Sequence, residues 1–80
     1  MLSQLANRRI VVGSKQLRKA LNAGRATLVF LAQNADPAIT EPIEAICRQH
    51  DIQVNWVRSM TDLGQACGIE VGAAAAAAVD

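Results

Sequence analysis

Apolar and polar positions fall in blocks along the chain, and the period changes from block to block. Leu2, Leu5 and Ala6 recur at helical spacing, which predicts a short first helix over Leu2 to Arg8. Ile10 to Val12 is a short β-branched run and reads as a strand. From Ser14 to Ala23 the period is helical again. Leu17, Ala20, Leu21 and Gly24 share one face, and Lys15, Arg18 and Lys19, at i, i+3 and i+4, share the other. Ser14 is placed to cap this helix and Gly24 to end it. Ala26 to Ala32, A-T-L-V-F-L-A, is continuously apolar, as a strand covered on both faces should be.

The next punctuation is Q-N-A-D-P. Asp36 reads as an N-cap and Pro37 as the first helical residue. Pro42 predicts a break, with one turn over Pro37 to Thr40 and the main helix from Glu41 to His50. Ile39, Ile43, Ile46 and Cys47 keep one apolar stripe across the joint. Ile52 to Val57 alternates: Ile52, Val54 and Trp56 point one way, Gln53 and Asn55 the other. Trp56 is expected in the core or on a sheet face. Ser59 can cap a short helix with Asp62 at the capping-box position, Leu63, Ala66 and Cys67 on its buried side, and Gly68 at its end.

The tail sets propensity against architecture. Six consecutive alanines, Ala73 to Ala78, favour helix. A run this short is a marginal helix alone, and it has no polar face. The β-α-β-α-β-α rhythm ahead of it calls for one more strand. The expected fold is therefore α/β: a three-layer α/β/α sandwich, with a small and mostly parallel sheet. If the last strand runs antiparallel, the Ile69–Glu70–Val71 loop shares an edge with Gly13. If it runs parallel, they lie at opposite ends.

Charge changes the picture once it is divided along the chain. The net charge is only +1, yet the first twenty-five residues hold Arg8, Arg9, Lys15, Arg18, Lys19 and Arg25 with no acid. The rest hold Arg48 and Arg58 against seven acids. That asymmetry fits a polyanion-binding end on a neutral-to-acidic body. One Phe, one Trp and no Tyr leave no aromatic platform for single-stranded bases. The longest apolar run, the nine residues from Val71 to Val79, is too short to cross a bilayer as a helix. Eighty residues predict a single domain, and two cysteines without a C-x-x-C pair predict a reducing, cytoplasmic setting.

Candidate chemistry concentrates at Gly13-Ser14-Lys15-Gln16. A helix beginning there would present free amides and the positive end of its dipole, which hold phosphate. The full phosphate-loop pattern G-x-x-x-x-G-K-[ST] is absent, and the connection is too short to wrap a triphosphate. Cys47 and Cys67 read as small buried hydrophobes, and His50 as a helix-end residue. The scattered acids offer no acid/base pair, and the His and Cys supply too few ligands for a metal.

The stretches G-S-K-Q-L-R-K-A-L, A-Q-N-A-D-P and S-M-T-D-L-G-Q-A-C-G-I-E-V-G-A-A-A resemble the kink-turn RNA-binding ribosomal protein superfamily, and within it the small bacterial YbxF-type branch. The resemblance runs from Leu2 to Val79 and is most specific in the last stretch. It implies an α/β/α sandwich with a small mixed four-stranded sheet, and a non-enzymatic RNA-binding role without a cofactor. The implied partner is structured RNA containing a kink-turn, a duplex with a three-nucleotide bulge followed by tandem sheared G·A pairs. Ribosomal RNA or a riboswitch would serve, and the ribosome is a candidate partner for a cytoplasmic monomer. The helix start would enter the widened groove at the G·A pairs, which implicates Gly13, Ser14, Lys15, Gln16 and Lys19. The loop before the last strand would pack on bulged nucleotides, which implicates Ile69, Glu70 and Val71, and places both features on one edge.

The chain departs from the family at Lys15-Gln16, where archaeal and eukaryotic members usually place Asn-Glu. Lys only donates, ionised Glu only accepts and Gln does both, so the family's base contacts do not carry over directly to Lys15-Gln16, a pair that looks usual for the bacterial branch. Physically, Lys15, Arg18 and Lys19 would neutralise crowded phosphates while Ser14 and Gln16 reach base edges. Two other readings stay open: a protein-interaction module of a ribosome-associated assembly, and a small phosphate- or nucleotide-binding domain.

Overall fold

The alanine tail is an inner strand of the sheet. In the computed structural model, which describes residues 9–79, the order is β1 (Arg9–Val12), α1 (Ser14–Asn22), β2 (Ala26–Ala32), α2 (Pro37–Gln49), β3 (Val54–Val57), α3 (Met60–Ala66) and β4 (Ala75–Val79). The helix expected over Leu2 to Arg8 lies outside the described residues. The four-stranded sheet has the order β1-β4-β2-β3. β4 is antiparallel to β1 and β2, and only β2 and β3 pair in parallel. The sheet is therefore mixed, and the mostly parallel pairing read from the β-α rhythm gives way. β1, β2 and β3 still run in one direction, but β4 inserts between β1 and β2 against them.

Strand alternation divides the core into two layers. Ala75 and Ala77 face Leu17 and Leu21 of α1, Ile43 and Cys47 of α2, and Val29 and Leu31 of β2. Ala76 and Ala78 face the other way, with Phe30, Ala32, Val57 and Leu63 of α3. All four of these alanines are fully buried. Their helix propensity loses because a lone alanine helix would bury no apolar face, whereas an inner strand buries both. Small side chains here leave room for the large residues of β2 and the helices. Each fully buried Leu contributes about 1.5–3 kcal/mol relative to exposure. A bulge between Ala26 and Leu28 makes Thr27 the extra residue in the β2–β4 register. Its hydroxyl donates to the Ala78 carbonyl at 3.2 Å. The bulge turns Leu28 toward the α3 layer while Ala26 stays with the other.

One expectation changes. α2 is continuous from Pro37 to Gln49 with Pro42 inside it. Proline at that position forfeits one bond to the Ala38 carbonyl, but Ala38 and Pro42 are both exposed, so water can take the open carbonyl. The buried face of Thr40, Ile43 and Cys47 carries the helix past the gap. Trp56, expected in the core or on a sheet face, lies outside the core: it stands in the edge strand β3, paired with Leu31, and is 38% exposed. No helix among the described residues is long and apolar enough to cross a membrane.

Candidate nucleic-acid interface

The strand directions gather the starts of all three helices, and the start of β4, at one edge of the sheet. Gly13 joins β1 to α1 there. Its amide donates to the Ala75 carbonyl at 2.9 Å, and its carbonyl accepts from the Leu17 amide at 3.0 Å. Gly13 is thus the N-cap, at φ 100°, a backbone state that disfavours every residue with a side chain. Ser14, expected to be the cap, is instead the first helical residue. The ladder bond to Ala75 holds Gly13 in the sheet, so the helix must begin at the next residue. Among the described residues no side chain caps α1. The amides of Ser14, Lys15 and Gln16 therefore have no acceptor within the helix.

The side chains above this start are basic. Lys15, Gln16, Arg18 and Lys19 are exposed, while Leu17 and Leu21 fix the opposite face in the core. Ser14, Lys15, Arg18, Lys19 and Asn22 line an open hollow of about 480 Å³, and among the described residues no acid lines it. Its three cations suit it to anions, and the uncapped amides at the start of α1 favour negative charge at that end of the helix. Only one residue, Gly13, separates β1 from α1, so the backbone cannot wrap a triphosphate.

The second half of the corner is the segment from Gly68 to Ala74. Gly68, at φ 78°, closes α3: its amide donates to Gln65 and that of Ile69 to Gly64, both at 3.0 Å. Of the three loop residues singled out from the sequence, Ile69 is half-buried and packs on the α3-side core. Glu70 is exposed, and Val71 is 70% exposed. Ile69 anchors the loop and Val71 presents it. The far end is tied by Ala73, whose amide donates to Met60 at 2.9 Å, and by Ala74, whose carbonyl accepts from Ala32 at 3.0 Å. Val71 precedes Ala75 by four residues, within about 14 Å of extended chain, and Ala75 is bonded to Gly13. The structure thus brings the helix-start residues and the loop residues to one edge, with Arg18 and Lys19 a turn further along α1.

Several supporting residues are not evident in the sequence. Gly64 lies inside α3 because a Cβ there would run into the Val71 carbonyl oxygen. A Cβ on Gly72 would lie 3.1 Å from the Met60 Cβ. Asn34, in the β2–α2 turn, accepts from the Met60 amide at 2.8 Å. An isolated Gly inside a helical pattern signals a close approach, which is the one cue the sequence offers.

The remaining candidates stay structural. Burial pushes the Cys47 thiol up, with the Glu44 charge adding to it, and burial pushes Cys67 up. A thiol with a raised pKa is a poor nucleophile at neutral pH. Asp36 caps α2 by accepting from the Ala38 amide at 2.9 Å, and Ser59 caps α3 by accepting from Asp62 at 3.1 Å. A separate open hollow of about 620 Å³ lies along β3 and α3, between Gln33, Trp56, Arg58, Asp62 and Gln65.

Comparison with known proteins adds to this geometry. The model of the ribosomal protein L7Ae/L30e/S12e/Gadd45 family matches residues 2–80. The chain is 46% identical over 69 residues to RNA-binding protein YbxF of Geobacillus stearothermophilus, covering 86% of this chain and 84% of that protein. It is 41% identical over 68 residues to an RNA-binding protein of Halalkalibacterium halodurans, covering 85% and 83%. The solved structure of the Giardia lamblia 15.5kD RNA binding protein is similar at a TM-score of 0.87 and 26% identity, over 99% of this chain and 67% of that one. A Bacillus halodurans protein of unknown function is similar at a TM-score of 0.84 and 26% identity, over 95% and 76%.

Proposed function

The chain belongs to the ribosomal protein L7Ae/L30e/S12e/Gadd45 family, and from that premise we propose that it is a non-catalytic RNA-binding protein that recognises and stabilises kink-turns. The observation that carries the reading is the bond between Gly13 and Ala75, which puts the uncapped, lysine-rich start of α1 at the same edge of the sheet as the segment leading from the exposed Val71 into β4. An undistorted RNA duplex has a major groove too deep and narrow for side chains, so a protein reads bulges and distorted helices. A kink opens that groove and crowds phosphates around it.

Each residue then has a task. The amides of Ser14, Lys15 and Gln16 meet negative charge, and the Gln16 and Ser14 side chains reach base edges. Lys15, Arg18 and Lys19 neutralise phosphates. Glu70 and Val71 cover bulged nucleotides, on a loop anchored by Ile69. The protein binds the kinked conformer and so shifts the RNA toward it. Cytoplasmic structured RNAs, ribosomal RNA and riboswitches among them, are the targets this reading favours.

The test is a titration of two RNAs that differ only at the tandem sheared G·A pairs. Replacing those pairs by Watson–Crick pairs should abolish specific binding and leave a weak, salt-sensitive remainder. With three or four phosphate contacts, affinity for the kinked RNA should fall about a hundredfold between about 50 and 200 mM salt. Equal affinity for both RNAs would reduce the protein to a basic surface.

A further inference from the structure

The loop that carries Val71 hangs on a residue from a distant part of the chain. Asn34 sits in the turn between β2 and α2, and its side-chain oxygen accepts the Met60 amide at 2.8 Å. A backbone amide only donates, so the amide oxygen, and not the nitrogen, faces Met60. Met60 is the first residue of α3, and its amide has no acceptor within that helix. The helix cap proper is Ser59, which takes the Asp62 amide instead. Asn34 is therefore a tie between segments 26 residues apart in sequence, and not the cap of α3.

The tie continues into the loop. The Met60 carbonyl accepts from Ala73 at 2.9 Å, and the Gly72 backbone lies against the Met60 side chain closely enough that a Cβ on Gly72 would sit 3.1 Å from the Met60 Cβ. Gly64 of the same helix packs on the Val71 carbonyl. Met60 is thus held on one side by Asn34 and holds the end of the loop on the other. Glu70, Val71 and Gly72 are exposed between two fixed points, Ile69 and Ala73.

We propose that Asn34 is a positioning residue for RNA recognition: through Met60 it fixes the Val71 loop in the geometry that meets the bulged nucleotides. This rests on the RNA-binding reading. A loop already held in its bound geometry loses less freedom on binding, which raises affinity without a new contact. Asn34→Ala should weaken binding of kinked RNA about two- to tenfold, the worth of one net hydrogen bond. The salt slope should not change, because the cations of α1 are untouched. Asn34→Asp keeps the acceptor and should restore most of the affinity.

The decisive experiment is a double-mutant cycle on RNA affinity, run with hydrogen exchange on the free protein. Val71→Ala removes the loop's apolar tip and leaves a residue that the exposed site tolerates. If Asn34 acts through the loop, Asn34→Ala costs little more on the Val71→Ala background, while its cost adds fully to that of Lys19→Ala. The Met60 and Ala73 amides should exchange faster in Asn34→Ala, and the Leu17 amide should not. Unchanged affinity in Asn34→Ala, an equal loss on the Val71→Ala background, or failure of Asn34→Asp to recover affinity would overturn the proposal. If the unmodified protein does not prefer kinked over straight RNA, the RNA reading itself fails. If it does prefer kinked RNA and Asn34→Ala matches it, only the role of Asn34 fails.

Discussion

The amide of Gly13 donates to the carbonyl of Ala75 across 2.9 Å, and this bond places the start of α1 next to the start of β4. A parallel last strand would have begun at the far end of the sheet. The antiparallel β4 instead begins where α1 begins, and the four residues before Ala75 carry the chain back to Val71. A cationic helix start and an apolar prong come to one edge of the sheet through the direction of one strand.

Lys15 and Lys19 are exposed above the uncapped helix start. Lys15→Ala and Lys19→Ala should each weaken kinked-RNA binding, and each should lower the slope of log affinity against log salt by about one. Titrations at several salt concentrations read both effects. An unaltered slope after both changes removes the phosphate contacts from the account.

The two serines at helix starts should behave differently. Ser59 accepts from the Asp62 amide at 3.1 Å, so Ser59→Ala should cost about 1 kcal/mol of stability. Ser14 makes no capping bond, because Gly13 occupies the cap position. Ser14→Ala should leave the urea midpoint nearly unchanged while weakening RNA binding. A loss at Ser14 as large as that at Ser59 would show that Ser14 caps the helix after all.

Gly64→Ala puts a methyl group where the Val71 carbonyl oxygen lies. The loop must shift or the helix must move, at a cost of about 1–3 kcal/mol by analogy with overpacked cores. RNA affinity should fall with stability, and the salt slope should hold. Unchanged urea unfolding and unchanged affinity together would mean that α3 and the loop are not in contact.

The two thiols give a pH dependence. Burial, with Glu44 adding at Cys47, raises their folded-state pKa values above the ordinary thiol value that holds in the unfolded chain. Above that value the unfolded state binds fewer protons than the native state, so this contribution is intact at neutral pH and is lost as pH rises. Urea unfolding at about pH 7 and about pH 9.5 should show a larger alkaline loss in the unmodified protein than in the Cys47→Ala/Cys67→Ala variant. Equal losses would place the alkaline effect on other groups.

Much of the element pattern was legible because hydrophobic period and punctuation agreed. The Ala26–Ala32 strand follows from its unbroken apolar run, and α2 begins at Asp36-Pro37 as those residues require. The alanine strand was legible only from architecture, since local propensity points the other way. Pro42 misled because its missing bond falls on an exposed face, and exposure is a tertiary fact. Ser14 misled because the bond that holds Gly13 in the sheet comes from Ala75, at the far end of the sequence. The basic face of α1 could be read from spacing, whereas the apolar loop at the same edge followed only from the family resemblance, because composition does not fix the direction of β4. Asn34 gave no signal beyond a turn, and Ile69 looked as available as Val71 until packing separated them.

The most direct test follows the shape of the RNA. A kink-turn duplex labelled with a donor at one end and an acceptor at the other reports bending by energy transfer, measured without divalent ions so that the free RNA is extended. Adding the protein should drive the RNA to high transfer, Val71→Asp should leave it extended under the same conditions, and the Watson–Crick control should not bend at any protein concentration. Binding that leaves the RNA extended, or equal bending by Val71→Asp, would contradict the claim that this corner selects sharply bent RNA.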